Sequence, residues 1–201
     1  MFQSNNGKKL TRYGLIVLAL TISLVTAVLS KDEPDNTFET LDTIVLTYPS
    51  QAEVLSVTDG DTFKVKFEDG SVDKIRLLLI DTPETKRANT PVQPFGPEAS
   101  EYLTELLNGQ TVRVEMDVSE RDQYGRVLAY VYLGDEMVNE MLVAEGLARV
   151  AVYPPDVKYV DQLRATEKKA KSAKLGIWSI ENYVTDRGYD TSVAATHANK
   201  K

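Results

Sequence analysis

Short stretches in the middle of the chain alternate apolar and polar residues, a pattern typical of half-buried β-strands. The clearest stretch runs through Phe63, Val65 and Phe67, and residues 112–116 alternate in the same way. Residues 68–71 contain the Asp-Gly pair of a hairpin turn, so residues 72–80 are predicted to return antiparallel to the preceding stretch. Residues 54–57 and 126–133 complete the set of predicted strands.

Helical spacing of apolar residues predicts three helices. The first begins at Pro97 and Glu98, because proline fits the first turn and an acidic side chain is favourable at the positive end of the helix dipole. The second runs from Val138 to a stop at Gly146. The third covers residues 160–175, with lysines near its C-terminal end.

Five strands, with a helix between the third and the fourth, favour a small closed barrel of the oligonucleotide-binding (OB) type with helices packed on it. The fold class predicted is therefore α+β and mainly β, a five-stranded OB-fold barrel with three packed helices. The strand count alone leaves other α+β layouts open.

The first 30 residues have the composition of an export segment. Lys8, Lys9 and Arg12 form a basic start, and a predominantly apolar run of 16 residues follows at 14–29. That run is short for a membrane span, which takes roughly 20 residues, and residues 28–30 form a mediocre cleavage site. We predict that residues 1–30 are either a signal peptide or an uncleaved membrane anchor, and both would export the remaining chain.

The remaining chain divides by composition into a linker, a body and a tail. Residues 31–50 are acidic and contain two prolines, which is typical of a linker, although residues 43–47 have the pattern of a short edge strand. Residues 51–178 hold all the predicted strands and helices, and Ile177 and Trp178 are expected to fold back onto them. Residues 179–201 show no apolar period, so a flexible tail is predicted.

Composition excludes several classes of site. The chain has 201 residues, no cysteine, one histidine (His197, in the predicted tail) and a net charge of −7. Zinc–thiolate sites, cysteine nucleophiles and sites built on histidine are therefore excluded. The negative charge argues against a protein that coats nucleic acid, since such proteins are usually basic.

Acidic side chains end two of the predicted strands beside an arginine. Asp61 lies in a turn, and Asp81 and Glu84 follow a strand in which Arg76 would share a face with Leu78 and Ile80. Carboxylate oxygens suit a hard cation such as Ca²⁺, and a guanidinium suits a phosphodiester. From the residues alone, the aspartates are more readily explained as ordinary turn residues.

Five motifs resemble, in order and spacing, those of the staphylococcal nuclease (thermonuclease) family. They cover residues 59–62 (DGDT), 76–86 (RLLLIDTPETK), 95–100 (FGPEAS), 122–130 (DQYGRVLAY) and 138–140 (VNE). The resemblance extends from about Ala52 to Trp178, and it favours the barrel over the other α+β layouts. It implies a Ca²⁺-dependent, sugar-nonspecific endonuclease that acts on DNA and RNA and leaves 3′-phosphate ends.

The resemblance also assigns the metal and catalytic residues. It implies that Asp61, Asp81 and the backbone carbonyl of Thr82 hold Ca²⁺. Glu84 matches the carboxylate that orients or deprotonates the attacking water, and the sequence does not decide between these two roles. Arg76 and Arg126 match two arginines that bind the phosphate.

Substrate contacts are implied for Tyr124, Tyr153 and Lys86. Aromatic rings stack on unpaired bases of any sequence, so single-stranded or locally unpaired DNA and RNA are the expected partners. The chain departs from the family at Gln123, where staphylococcal nuclease has a lysine, and at residues 152–154, which are one residue shorter. These departures affect the substrate contacts and leave the catalytic residues intact.

The biological setting implied is an exported monomer, either secreted or held at the outer face of the cell membrane by residues 1–30. No protein partner is implied. A non-catalytic OB-fold module that binds nucleic acid is the alternative, because some relatives of this family keep the barrel and lose the acidic residues. The intact carboxylates and arginines favour the enzyme.

Overall fold

The computed structural model describes residues 51–86, 91–190 and 192–193. The predicted export segment, the acidic linker with the edge strand predicted at residues 43–47, and most of the tail beyond residue 190 lie outside the described residues. Within the described residues, no helix has the length and apolarity needed to cross a membrane.

The strands follow the alternating pattern of the sequence. Their bounds are β1 Gln51–Asp59, β2 Thr62–Phe67, β3 Val72–Leu77, β4 Ile80–Asp81, β5 Thr111–Glu115, β6 Val127–Leu133, β7 Glu136–Met137, β8 Arg149–Val150, β9 Val184–Thr185 and β10 Gly188–Tyr189. Strands β3, β2, β1, β5 and β6 are hydrogen-bonded neighbours in that order, and a parallel pairing of β3 with β6 closes the barrel. The predicted five-stranded OB-fold barrel is confirmed.

Three helices pack on this barrel: α1 Gly96–Leu107, α2 Val138–Ala144 and α3 Val160–Ser172. Ala99, Leu103 and Leu107 of α1 are buried in the main core, and Leu106 is partly buried against it. Each helix begins within one residue of its predicted start. Such inner faces hold the helices against the barrel, since burying a large aliphatic side chain contributes about 1.5–3 kcal/mol.

The predicted third strand is wrong beyond residue 77. Strand β3 ends at Leu77, and Leu79 adopts a positive φ of 61°, which breaks the extended backbone before β4. Residues distant in sequence hold the break, because the Leu78 N–H donates to the Ala129 carbonyl (2.8 Å) and the Ala151 N–H donates to the Leu79 carbonyl (2.9 Å). Arg76 therefore does not share a strand face with Leu78 and Ile80.

The segment after α3 also differs from the prediction of a flexible tail, at least over residues 179–190. A 3₁₀ turn at Gly176–Ser179 leads into a two-stranded hairpin of β9 and β10. Tyr183 and Ile177 are fully buried in a small second core, packed against Phe95 and Trp178. Ile177 and Trp178 thus pack as predicted, and the apolar residues beyond them join the same cluster without any helical or strand period.

Candidate active site

The predicted site residues gather in one cleft of about 650 Å³ at the break between β3 and β4. Strand β2, the β3–β4 break and the turn before β6 form its walls. Eight of the nine predicted residues line it: Asp61, Arg76, Asp81, Thr82, Glu84, Tyr124, Arg126 and Tyr153. A larger groove of about 760 Å³, bordered by α2 and α3, contains none of them.

Two carboxylates in the cleft flank one guanidinium nitrogen. Arg76 Nη2 lies 3.1 Å from Asp61 Oδ2 and 3.9 Å from Asp81 Oδ1. Asp61 is buried, and it also accepts hydrogen bonds from the Thr62 hydroxyl (2.9 Å) and the Thr82 N–H (3.3 Å). Burial raises the pKa of Asp81, although Arg149 and Arg76 oppose that shift. Asp81 is thus a partly desolvated carboxylate, and an added cation would stabilise its charged form.

The oxygen donors of this cleft fit a hard divalent cation. Among the described residues, no group of three or more His, Cys, Asp or Glu side chains forms a metal cluster. A cation bound here would therefore combine the carboxylates of Asp61 and Asp81 with carbonyl and water oxygens. Ca²⁺ accepts six to eight oxygens of such mixed origin, whereas Mg²⁺ requires a tighter octahedron. The donor set fits Ca²⁺ on these grounds.

Arg76 is held by the break in the strand. Its Nη1 donates to the Leu77 carbonyl (2.6 Å), and its Nη2 donates to the Ile80 carbonyl (2.9 Å). The break turns these carbonyls towards the guanidinium, so only 15% of the arginine side chain is exposed. The guanidinium is consequently fixed before any ligand arrives, which favours stabilisation of a developing charge.

Arg126 is held by an aspartate four residues earlier. Its Nε and Nη2 each lie 2.7 Å from Asp122 Oδ2, and its Nη1 donates to the Thr62 hydroxyl at 3.2 Å. Burial alone would raise the pKa of Asp122, but the hydrogen bonds from Arg126 and Tyr124 lower it overall. Since Thr62 in turn donates to Asp61 (2.9 Å), the second guanidinium is linked to the carboxylate pair through one hydroxyl.

Glu84 projects from a turn that Gln93 fixes on both sides. The Glu84 N–H donates to the buried Gln93 side chain (2.7 Å), and the Gln93 N–H donates back to the Glu84 carbonyl (2.9 Å). The Glu84 carboxylate accepts from the Lys86 N–H at 3.1 Å. These contacts keep the carboxylate at the edge of the cleft, within the same turn as Asp81.

The predicted substrate residues differ in their placement. Tyr124 and Tyr153 both line the cleft, with 75% and 67% of their surfaces exposed, so their rings are accessible for stacking. Lys86 does not line the cleft. Its ammonium instead donates to the Thr58 carbonyl (2.6 Å). Lys86 is therefore the one predicted site residue that the structure leaves outside.

Sequence reasoning missed Arg149, which lies beside the metal-binding candidates. Arg149 is buried and its Nε donates to Asp81 Oδ2 at 2.9 Å. The signal that pointed to Arg76 was an arginine inside an apolar stretch, and residues 147–151 (LARVA) show the same signal. Asp122 was missed because its partner Arg126 was interpreted alone.

Comparison with known proteins shows the relationship directly. Residues 74–180 match the family described as "Staphylococcal nuclease homologue". The chain is 54% identical over 137 residues to the SPbeta prophage-derived endonuclease YokF of Bacillus subtilis (strain 168), covering 67% of this chain and 46% of that protein. It is 50% identical over 151 residues to the endonuclease YncB of the same organism, covering 72% and 71%.

The thermonuclease of Staphylococcus hyicus is matched almost from end to end. It is 42% identical over 172 residues, which cover 86% of this chain and 99% of that protein. By contrast, this chain spans less than half of YokF, so the activity of that larger protein does not transfer as a whole. The family match takes in more than half of the 201 residues and includes Arg76, Asp81, Glu84 and Arg126. The chain therefore belongs to the staphylococcal nuclease family.

Proposed function

We propose that this protein is a Ca²⁺-dependent, sugar-nonspecific endonuclease that hydrolyses phosphodiester bonds of DNA and RNA and leaves 3′-phosphate ends. The observation that carries the proposal is the meeting of two carboxylates and two guanidiniums in one cleft. Arg76 contacts both Asp61 and Asp81, and Arg126 reaches Asp61 through the Thr62 hydroxyl. Relatives named as endonucleases and thermonucleases support the same activity.

In the proposed mechanism, Asp61, Asp81 and the carbonyl of Thr82 hold the cation. Ca²⁺, when bound, supplies a Lewis acid that neutralises charge on a phosphate oxygen. Glu84 orients a water molecule towards the phosphorus and accepts its proton. The bond between phosphorus and the 5′-oxygen breaks, the 5′-oxygen takes up a proton from solvent, and the phosphate stays on the 3′ side.

Arg76 and Arg126 bind the non-bridging oxygens of the scissile phosphate. Charge on these oxygens grows as five-coordinate phosphorus forms, so fixed guanidiniums bind the transition state more tightly than the substrate. Their anchoring favours this role, because Arg76 is fixed by two carbonyls and Arg126 by Asp122. No reorganisation is then needed at the moment of reaction.

The exposed rings of Tyr124 and Tyr153 stack on bases beside the scissile phosphate, which favours single-stranded or locally unpaired substrates. The protein is proposed to act as a monomer. It is proposed to work outside the cell, either secreted or held at the membrane by residues 1–30, and that proposal rests on the basic and apolar pattern of that segment.

Digestion of denatured DNA and of single-stranded RNA tests the proposed activity. With Ca²⁺ we expect both substrates to be cut internally and to yield products with 3′-phosphate ends. With excess chelator we expect no cutting, because the cation is then removed. Binding of both polymers without cleavage in Ca²⁺ would contradict the enzyme and support the alternative, a non-catalytic nucleic-acid-binding module.

A further inference from the structure

The hairpin formed by β9 and β10 contacts the backbone of Asp81, one of the proposed metal ligands. We refer to residues 180–190 as the C-terminal strap. The Tyr189 hydroxyl donates to the Asp81 backbone carbonyl at 2.6 Å, although the two residues are 108 positions apart. The hydroxyl contacts the backbone of Asp81 and not its carboxylate.

The strap also contacts the arginine that holds the Asp81 side chain. Strand β8 pairs with β4 so that Arg149 lies opposite Asp81, and Arg149 Nε donates to Asp81 Oδ2 at 2.9 Å. Nη1 of the same guanidinium donates to the Asp186 carbonyl at 3.4 Å. Both the main chain and the side chain of Asp81 are thus connected to the strap, one directly and the other through a single arginine.

The strap is anchored independently of Asp81. Tyr183 is fully buried, and its hydroxyl donates to the Pro94 carbonyl at 2.9 Å. The rings of Tyr183 and Tyr189 pack with their centroids 5.2 Å apart, and the Asp190 N–H donates to the Tyr183 carbonyl at 2.8 Å. Tyr189 is therefore presented to Asp81 by a fixed element.

We propose that Tyr189 is a positioning residue that fixes Asp81 for Ca²⁺ binding, so that the C-terminal strap sets the calcium affinity of the site. The inference rests on the proposed Ca²⁺-dependent function. An aspartate already held in its ligating position loses less conformational freedom when the cation binds. Partners of a ligand that do not touch the metal contribute to affinity in this way, and their loss typically weakens metal binding by about 10- to 100-fold.

The strap supplies a matched pair of variants. Tyr189→Phe and Tyr183→Phe each remove one hydroxyl that donates to a backbone carbonyl, and each keeps its ring. Only the first carbonyl belongs to a proposed ligand. Isothermal titration with CaCl₂ alone measures the Kd of each variant, and thermal unfolding in chelator measures the stability of the metal-free protein.

We expect Tyr189→Phe to raise the Kd for Ca²⁺ by about tenfold. Tyr183→Phe should leave the Kd within about twofold of the wild-type value, because the buried ring and the bond from the Asp190 N–H to the residue 183 carbonyl still anchor the strap. Both variants should lower the Tm in chelator to a similar extent, since each loses one partly buried hydrogen bond. At saturating Ca²⁺ the kcat of Tyr189→Phe should return to within about twofold of the wild-type value.

Two results would overturn the positioning role while leaving the proposed function in place. One is a Kd for Tyr189→Phe within about twofold of wild type. The other is an equal rise in Kd for both variants, which would indicate a general effect on stability. If the wild-type protein itself bound no Ca²⁺, the proposed metal site would be wrong, and the inference would fail with it.

Discussion

Replacing Asp61 by alanine is expected to abolish Ca²⁺-dependent cleavage, with a loss in turnover of about 10³-fold or more. Asp61 is a buried carboxylate of the cleft, and it is linked to Arg76, Thr62 and the Thr82 N–H. Its removal deletes one of two proposed carboxylate ligands. Asp81 would then be the single proposed carboxylate ligand, so the cation should bind far more weakly.

The fold should survive this change. Asp61 is not part of the barrel core. Its removal relieves its repulsion with Asp81 but takes a partner from Arg76 and from the Thr82 N–H, so we expect a modest fall in Tm. The rate of DNA cleavage at varied Ca²⁺ and the Tm in chelator measure the two effects separately. Asp161→Ala, an exposed carboxylate on α3, is the matched control and should keep full activity. Full activity of Asp61→Ala in excess chelator would refute the metal assignment.

Replacing either Arg76 or Arg126 by lysine is expected to lower kcat by roughly 10²-fold or more, which corresponds to about 2.7 kcal/mol in activation free energy. A lysine ammonium is a point charge and cannot make the bidentate contact of a guanidinium. It also cannot bridge the carbonyls of Leu77 and Ile80 while facing Asp61. KM should change less, since the contact is strongest in the transition state.

Steady-state kinetics on denatured DNA at saturating Ca²⁺ checks this result. Arg113→Lys is the control, because Arg113 stacks on Tyr132 (3.8 Å from its ring centroid) and does not line the cleft. If kcat held and only KM rose in the Arg76 and Arg126 variants, these arginines would bind substrate without stabilising the transition state.

The sequence predicts the barrel well because its core depends on local alternation. Phe63, Val65 and Phe67 are all buried, as their spacing of two requires. The β3–β4 break was not predictable in this way, because leucine seldom adopts a positive φ and residues 75–80 have the composition of a continuous strand. Tertiary hydrogen bonds to the Ala129 carbonyl and from the Ala151 N–H hold the break, and no local pattern encodes them.

In the candidate site, too, some features follow from the sequence and others depend on tertiary contacts. The family resemblance predicts Asp61 and Asp81 as metal ligands, and the structure brings both carboxylates to one guanidinium. The contact between Tyr189 and Asp81 spans 108 residues and comes from a segment without apolar period. Contacts between residues so far apart in sequence can be identified only once the fold is known.

The most direct test of the central claim is a crystal structure of the protein grown with Ca²⁺. We predict one cation in the cleft, about 2.3–2.6 Å from carboxylate oxygens of both Asp61 and Asp81 and from the carbonyl oxygen of Thr82. A Ca²⁺ ion bound elsewhere, with neither aspartate among its ligands, would contradict the account.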